Sequence, residues 1–130
     1  MPWELRIDPE KRFGYVRLTE VVTFNDFLAV HLALKRHPAF DPAFALLLDL
    51  RAAHDLDLTS EQLDAIIGET PIAPSAPRAI VVGNLVVSAI VRVYQFLRQD
   101  MTATPVTRVC QSVDEAWLWL GIKPYDPSLN

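Results

Sequence analysis

Two periods of apolar and polar positions run along this chain, and the switches between them lay out its elements. From Trp3 to Asp8 and from Phe13 to Leu18 the pattern repeats every two residues, with Phe13, Tyr15 and Arg17 on one face of the second run. Pro9-Glu10-Lys11-Arg12 between them reads as a turn, which predicts an antiparallel hairpin at one end of a sheet. Thr23 then offers an N-cap with Asp26 as its reciprocal partner, and Phe24, Phe27, Leu28, His31 and Leu34 recur at helical spacing as far as Pro38. The unbroken run Ala45-Leu46-Leu47-Leu48-Asp49-Leu50-Arg51 predicts a central parallel strand buried on both faces. After it, His54-Asp55-Leu56-Asp57-Leu58-Thr59-Ser60 reads as a loop leading into a helix from about Ser60 to Gly68, with Leu63, Ile66 and Ile67 turned inward.

Gly68 to Pro77 holds three of the ten prolines and predicts an exposed, semi-extended loop. Ala79 to Val82 forms a further buried strand, Gly83-Asn84 turns with Asn84 as N-cap, and a helix runs from about Leu85 to Gln99. Its polar residues Ser88, Arg92, Gln95 and Gln99 occupy one narrow stripe, so it needs burial on more than one side, against neighbouring helices or against a partner. Val106 to Cys110 supplies a last strand, and Ser112-Val113-Asp114-Glu115 reads as a capping box opening a helix that Gly121 ends. The order ββαβαβαβα predicts an α/β fold: a mixed, mostly parallel five-stranded sheet flanked by about four helices. Residues 1–122 read as one domain and 123–130, with Pro124 and Pro127, as a loosely ordered tail.

Composition narrows the class. At 130 residues, 51% apolar, the chain can fill one sizeable core. A net charge of −4 with 12 scattered basic residues argues against nucleic acid. No stretch is long and apolar enough to predict a membrane span, and a cytoplasmic location is expected. The single cysteine, Cys110 beside Val109, reads as a buried strand thiol.

The chemistry-bearing residues have plain structural readings. His31, between Phe27 and Leu34, reads as a packed histidine with one satisfied hydrogen bond, and His37 as a helix-end cap. His54, Asp55 and Asp57 lack metal-site spacing, so neither a metal nor another cofactor is expected. Thr59 or Ser60 serves as a helix N-cap with Gln62 reaching back, which explains the hydroxyls without catalysis. Gly83-Asn84 lacks the pattern of a phosphate loop. Asp8, Asp49 and Asp57 could all approach one region of the sheet. In open α/β sheets, sites gather outside the carboxyl ends of the strands, which puts function near Asp49 to Ser60.

The strand Leu46-Leu47-Leu48-Asp49-Leu50, the eight-residue step to Asp57 and the strand-helix order resemble the STAS family, the SpoIIAA-like anti-sigma-factor antagonists. The whole chain looks more like the short bacterial STAS/SEC14-type proteins, which tend to finish in a helix reading like Asp114-Glu115-Ala116-Trp117-Leu118-Trp119-Leu120-Gly121. The likeness runs from about residue 3 to 121. It implies a SpoIIAA-like fold and a non-catalytic regulatory module with a protein partner. In the antagonists the turn at the helix start reads Asp, two hydroxyl residues, then Gly, and a hydroxyl there is phosphorylated by the partner kinase. Here the turn is Asp57-Leu58-Thr59-Ser60: the acid is kept, Leu58 replaces the first hydroxyl, Thr59 matches the second, and Ser60 replaces the glycine. Thr59 is therefore the implied phosphorylation site, with Ser75 as a place to which such a switch could have moved.

Three readings follow. The first is an interaction module whose partner face comprises Asp49, Arg51, His54, Asp57, Thr59 and Ser60, with Val86, Ile90, Val93, Tyr94 and Leu97 as the seam of a homodimer. The second is a carrier of a small apolar, lipid-like ligand under the proline-rich loop, which requires a cavity of roughly a few hundred Å³ or more. The third is a hydrolase using His54 and Ser60, which must then converge within hydrogen-bond reach.

Overall fold

A computed structural model describes residues 3–101 and 107–122, and the backbone alone at 97–101. The tail and Val106 lie outside the described residues, as does the Leu97 side chain. Chain order is β1 (Trp3–Asp8), β2 (Phe13–Leu18), β3 (Glu20–Thr23), α1 (Phe24–Arg36), β4 (Ala45–Leu50), β5 (Ala53–Asp57), α2 (Ser60–Glu69), β6 (Arg78–Val82), α3 (Leu85–Met101), β7 (Thr107–Cys110) and α4 (Val113–Leu120). The five-stranded sheet has the order β1-β2-β4-β6-β7, with β1 antiparallel to β2 and every other pair parallel.

The apolar run of β4 is buried because the sheet is covered on both sides. On one face Leu46 and Leu50 join Val16, Leu18, Ile80 and Val82 beneath α1 and α3. On the other, Leu47 joins Phe13, Tyr15, Val81 and Cys110 beneath α4, where Trp117 meets Phe13 with ring centroids 5.2 Å apart. Burial and the nearby Glu115 push the Cys110 thiol up to about 11, leaving it a packing group rather than a nucleophile.

Local signals set the helix ends. Thr23 and Asp26 form the expected reciprocal box, and Thr59 and Gln62 form another, so Thr59 rather than Ser60 is the cap of α2. Asn84 Oδ1 accepts from Val87 N–H at the start of α3. The box expected at α4 is half made: Ser112 accepts from Glu115 N–H, but the Glu115 carboxylate takes the amide of Gln111 instead of that of Ser112. Gly121 ends α4 with φ of 71°, the left-handed conformation that favours glycine.

The structure departs from the sequence expectation in three places. His54 to Asp57 is not loop: β5 pairs in parallel with β3 as a second, two-stranded sheet, so the observed order is βββαββαβαβα. Gly68 and Glu69 complete α2, and residues 70–77 lack helix and strand as expected, but the segment is not an exposed flap. Ile72 and Ala76 are buried, Ala73 N–H donates to Pro42 O at 2.8 Å, and the buried Arg78 guanidinium donates to Ala73 O at 2.8 Å. Finally, Asp8 and Asp49 do not share a region. Asp8 pairs with Phe13 at the amino end of β2, whereas Asp49 pairs with Arg17 near its carboxyl end.

Candidate functional site

At the carboxyl end of the sheet the chain leaves β4 through Arg51 and Ala52, and leaves β6 through Gly83 and Asn84. These two turns touch. A Cβ on Gly83 would lie 2.7 Å from Arg51 O, closer than any side chain tolerates, so glycine is required by the approach itself. Asn84 Nδ2 donates to Ala53 O at 2.9 Å, tying α3 to β5, and Glu20 N–H donates to Ala52 O at 3.0 Å. Glu20 holds φ of 63°, a left-handed backbone uncommon for a residue with a side chain, at the bulge where β3 meets β5. Four chain segments thus converge on one corner.

Asp49 sits beneath that corner and is 1% exposed. Its carboxylate accepts from the Tyr15 hydroxyl at 2.6 Å, from Arg51 Nε at 2.9 Å and Nη2 at 2.7 Å, and from the Arg51 backbone N–H at 3.1 Å. Burial works to raise the Asp49 carboxyl, but the hydrogen bonds from Arg51 and Tyr15 outweigh it and hold the group below the usual carboxylate range. Burial, reinforced by Asp49, pushes the Tyr15 hydroxyl far above its ordinary value. The hydrogen bond to Asp49 raises Arg51 further, so it stays cationic. Asp49 is therefore no part of an exposed face. It braces Arg51, whose side chain remains 53% exposed and presents a fixed cation to solvent.

The other expected face residues are exposed but lie further along. His54, Asp57, Thr59 and Ser60 are all open to solvent. The length of β5 separates Arg51 from Thr59, about 13 Å for five residues at roughly 3.3 Å per step. The five exposed residues therefore form a strip rather than a cluster. Leu58 packs against the core, which accounts for an apolar residue in that turn, while the Thr59 hydroxyl is occupied as the α2 cap. Among the described residues no hydrogen bond joins His54 to Thr59 or Ser60, and no group of three or more His, Cys, Asp or Glu side chains is placed to hold a metal. No described helix is long and apolar enough to cross a membrane.

Sequence reasoning named Val86 and Val93 only as part of a dimer seam and left Leu85 and Phe96 out of it. Leu85 is 88% exposed and Val86 55%, directly after the Gly83-Asn84 turn, and Val93 and Phe96 continue the exposed apolar face along α3. The expected dimer seam is corrected accordingly. Val86 and Val93 face outward, but Ile90 and Tyr94 pack against the core on the side of the buried Val87 and Val91; Ser88 is buried too and Gln95 Nε2 donates to Thr107 O at 3.0 Å, while Arg92 stays exposed. The signal was present in the helical spacing of Leu85, Val86, Val93 and Phe96, but periodicity alone did not say which apolar side met the sheet.

The interior holds one further feature. Beneath α1, α2 and α3 lies an apolar cavity of about 70 Å³, partly open to solvent and well below the size expected of a lipid carrier.

No protein-family model matches the chain, and no curated protein matches it in sequence. Solved structures do match in shape. The anti-sigma factor antagonist SpoIIAA in its unphosphorylated form superposes with a TM-score of 0.55 at 12% identity, over 89% of this chain and 94% of that one. An uncharacterised DUF3478-family protein from Shewanella loihica PV-4, itself of SpoIIAA-like fold, superposes with a TM-score of 0.56 at 15% identity, over 91% of each chain.

Proposed function

The chain has the SpoIIAA-like fold, and on that premise we propose that it is a non-catalytic regulatory module acting in the cytoplasm, which binds a protein partner through the corner at the carboxyl end of its sheet. The observation that carries this reading is the pairing of a braced cation with bare apolar side chains. Arg51 is held by a buried carboxylate, and Leu85 and Val86 stand exposed at the adjoining turn. A preorganised arginine is the kind of side chain on which binding energy concentrates, since little of its freedom is lost on docking, and the exposed Leu85 and Val86 add apolar surface at the adjoining turn. His54, Asp57, Thr59 and Ser60 extend the face along β5. Regulation would act at Thr59, where a phosphate would meet the amino-terminal amides of α2 and the nearby Asp57, stabilised by the first and repelled by the second.

The carrier reading loses ground because the cavity is far below the volume of a lipid chain. The hydrolase reading lacks a geometry, since the Thr59 hydroxyl is spent on a cap and no hydrogen bond joins His54 to Ser60 among the described residues.

Site-specific photocrosslinking in the source cell tests the proposal. A photoreactive side chain at Leu85 is expected to give a discrete heavier adduct, whereas one at Leu118, 85% exposed on α4, gives none. An adduct of twice the chain mass identifies a second copy as the occupant, in place of a different protein. Absence of adducts at Leu85, or equal adducts at both positions, rejects this face.

A further inference from the structure

Leu48 lies in the middle of a central strand, paired with Val16 on one side and Ile80 on the other, yet it is only partly buried although both neighbours are almost fully covered. Its uncovered surface faces the cavity of about 70 Å³ between the sheet and α1, α2 and α3. Leu46, Leu48 and Ile80 form the floor, and Leu34, Ile66 and Val91 the walls. Into this apolar lining comes one imidazole. His31 is 9% exposed, and its Nδ1 has no hydrogen-bond partner, where sequence reasoning expected a satisfied histidine. An orphaned polar atom in such a place is destabilising unless something pairs with it.

We propose that this cavity is a binding site for a small, largely apolar molecule bearing a single hydroxyl, which His31 Nδ1 reads by a hydrogen bond. Three observations fix the class. The volume is about half of the roughly 150 Å³ at which an apolar cavity holds a benzene ring, so the site takes a short chain or a ring that projects through the open side. The lining is mainly apolar, with Thr70, Arg78 and Tyr94 the other residues on it that carry polar groups, so an occupant is itself largely apolar. Burial, with Lys35 nearby, lowers His31 to about 4, so the ring is neutral at pH 7 and Nδ1 is either donor or acceptor according to tautomer. A hydroxyl both donates and accepts, and so suits either tautomer where a carbonyl or an amine suits only one. This site is separate from the protein-binding corner.

The probes are phenol and benzene, which share a ring and differ by the hydroxyl, titrated into the full chain while methyl NMR signals are followed. The expected result is saturable shifts of the Leu34, Leu48, Ile80 and Val91 methyls, with phenol binding at least about tenfold more tightly than benzene, as one hydrogen bond implies. His31→Leu should cut that ratio to about twofold or less. His31→Asn, which keeps an amide atom near the Nδ1 position, should retain most of it. Should the Leu variant fail to fold, the wild-type ratio and the Asn variant decide alone. No saturable shift with either probe overturns the site, equal affinity of the wild type for both overturns the role of His31, and shifts confined to other methyls place the probes elsewhere and overturn it equally.

Discussion

Asp49 shows how much one residue can carry. It ends an apolar run, so the sequence marks it as unusual, yet its role is visible only through Tyr15, 34 positions away, whose hydroxyl it accepts. Asp49→Ala would leave that hydroxyl buried without a partner and Arg51 unbraced. It should cost about 2–3 kcal/mol in urea unfolding, whereas Arg51→Ala, which keeps the Tyr15 bond and the backbone N–H, should cost about 1 kcal/mol because Arg51 is half exposed. The reverse order would contradict the bracing role. His31 gives a pH signature. Its folded value of about 4 lies below the ordinary 6.5, so the unfolded chain binds its proton first and stability falls as pH drops from about 6.5 toward 4. The loss is on the order of 2–3 kcal/mol, and it should flatten in His31→Asn, read from urea midpoints across that range. Asp49, also depressed, gives up its contribution only below its ordinary 3.8, outside the window. At the residue scale, capping chemistry was legible from local spacing, as at Thr23 and Thr59. His31 was half legible: its burial followed from periodicity, but its missing partner depends on what three helices bring around it.

At the scale of elements, the five strands of the main sheet and all four helices were legible because each carries its own period or cap. The β3–β5 pair was not. Both strands are short, and His54, Asp55 and Asp57 read as loop because no local rule signals that Val22 and Leu56 will pair across 34 positions. The orientation of α3 was hidden for a related reason. The polar stripe carries no single direction: Ser88 is buried and Gln95 donates to the Thr107 carbonyl, while Arg92 is exposed. The contact between the β4–β5 and β6–α3 turns has a direct test. Gly83→Ala must displace backbone at Arg51, a cost of about 1–3 kcal/mol in unfolding experiments, and should weaken partner binding as well by moving Arg51. A neutral effect on both would show that the corner is not tightly held.

For the whole molecule, one sheet positions two separate features. Its carboxyl end gathers the turns that brace Arg51 and expose Leu85, and its α1–α3 face encloses the cavity that His31 enters. The proposed recognition surface lies where open α/β sheets commonly place their sites, and the fold is the one seen in SpoIIAA. The central claim is that this corner binds a protein. Its most direct test is isotope-ratio affinity capture from source-cell extract, comparing the wild-type chain with Arg51→Glu and Leu85→Asp baits, and with Leu118→Asp as a surface control. The account predicts at least one protein whose recovery falls about tenfold or more with both corner variants and is unchanged with the control. Equal recovery of every captured protein by all four baits would contradict it.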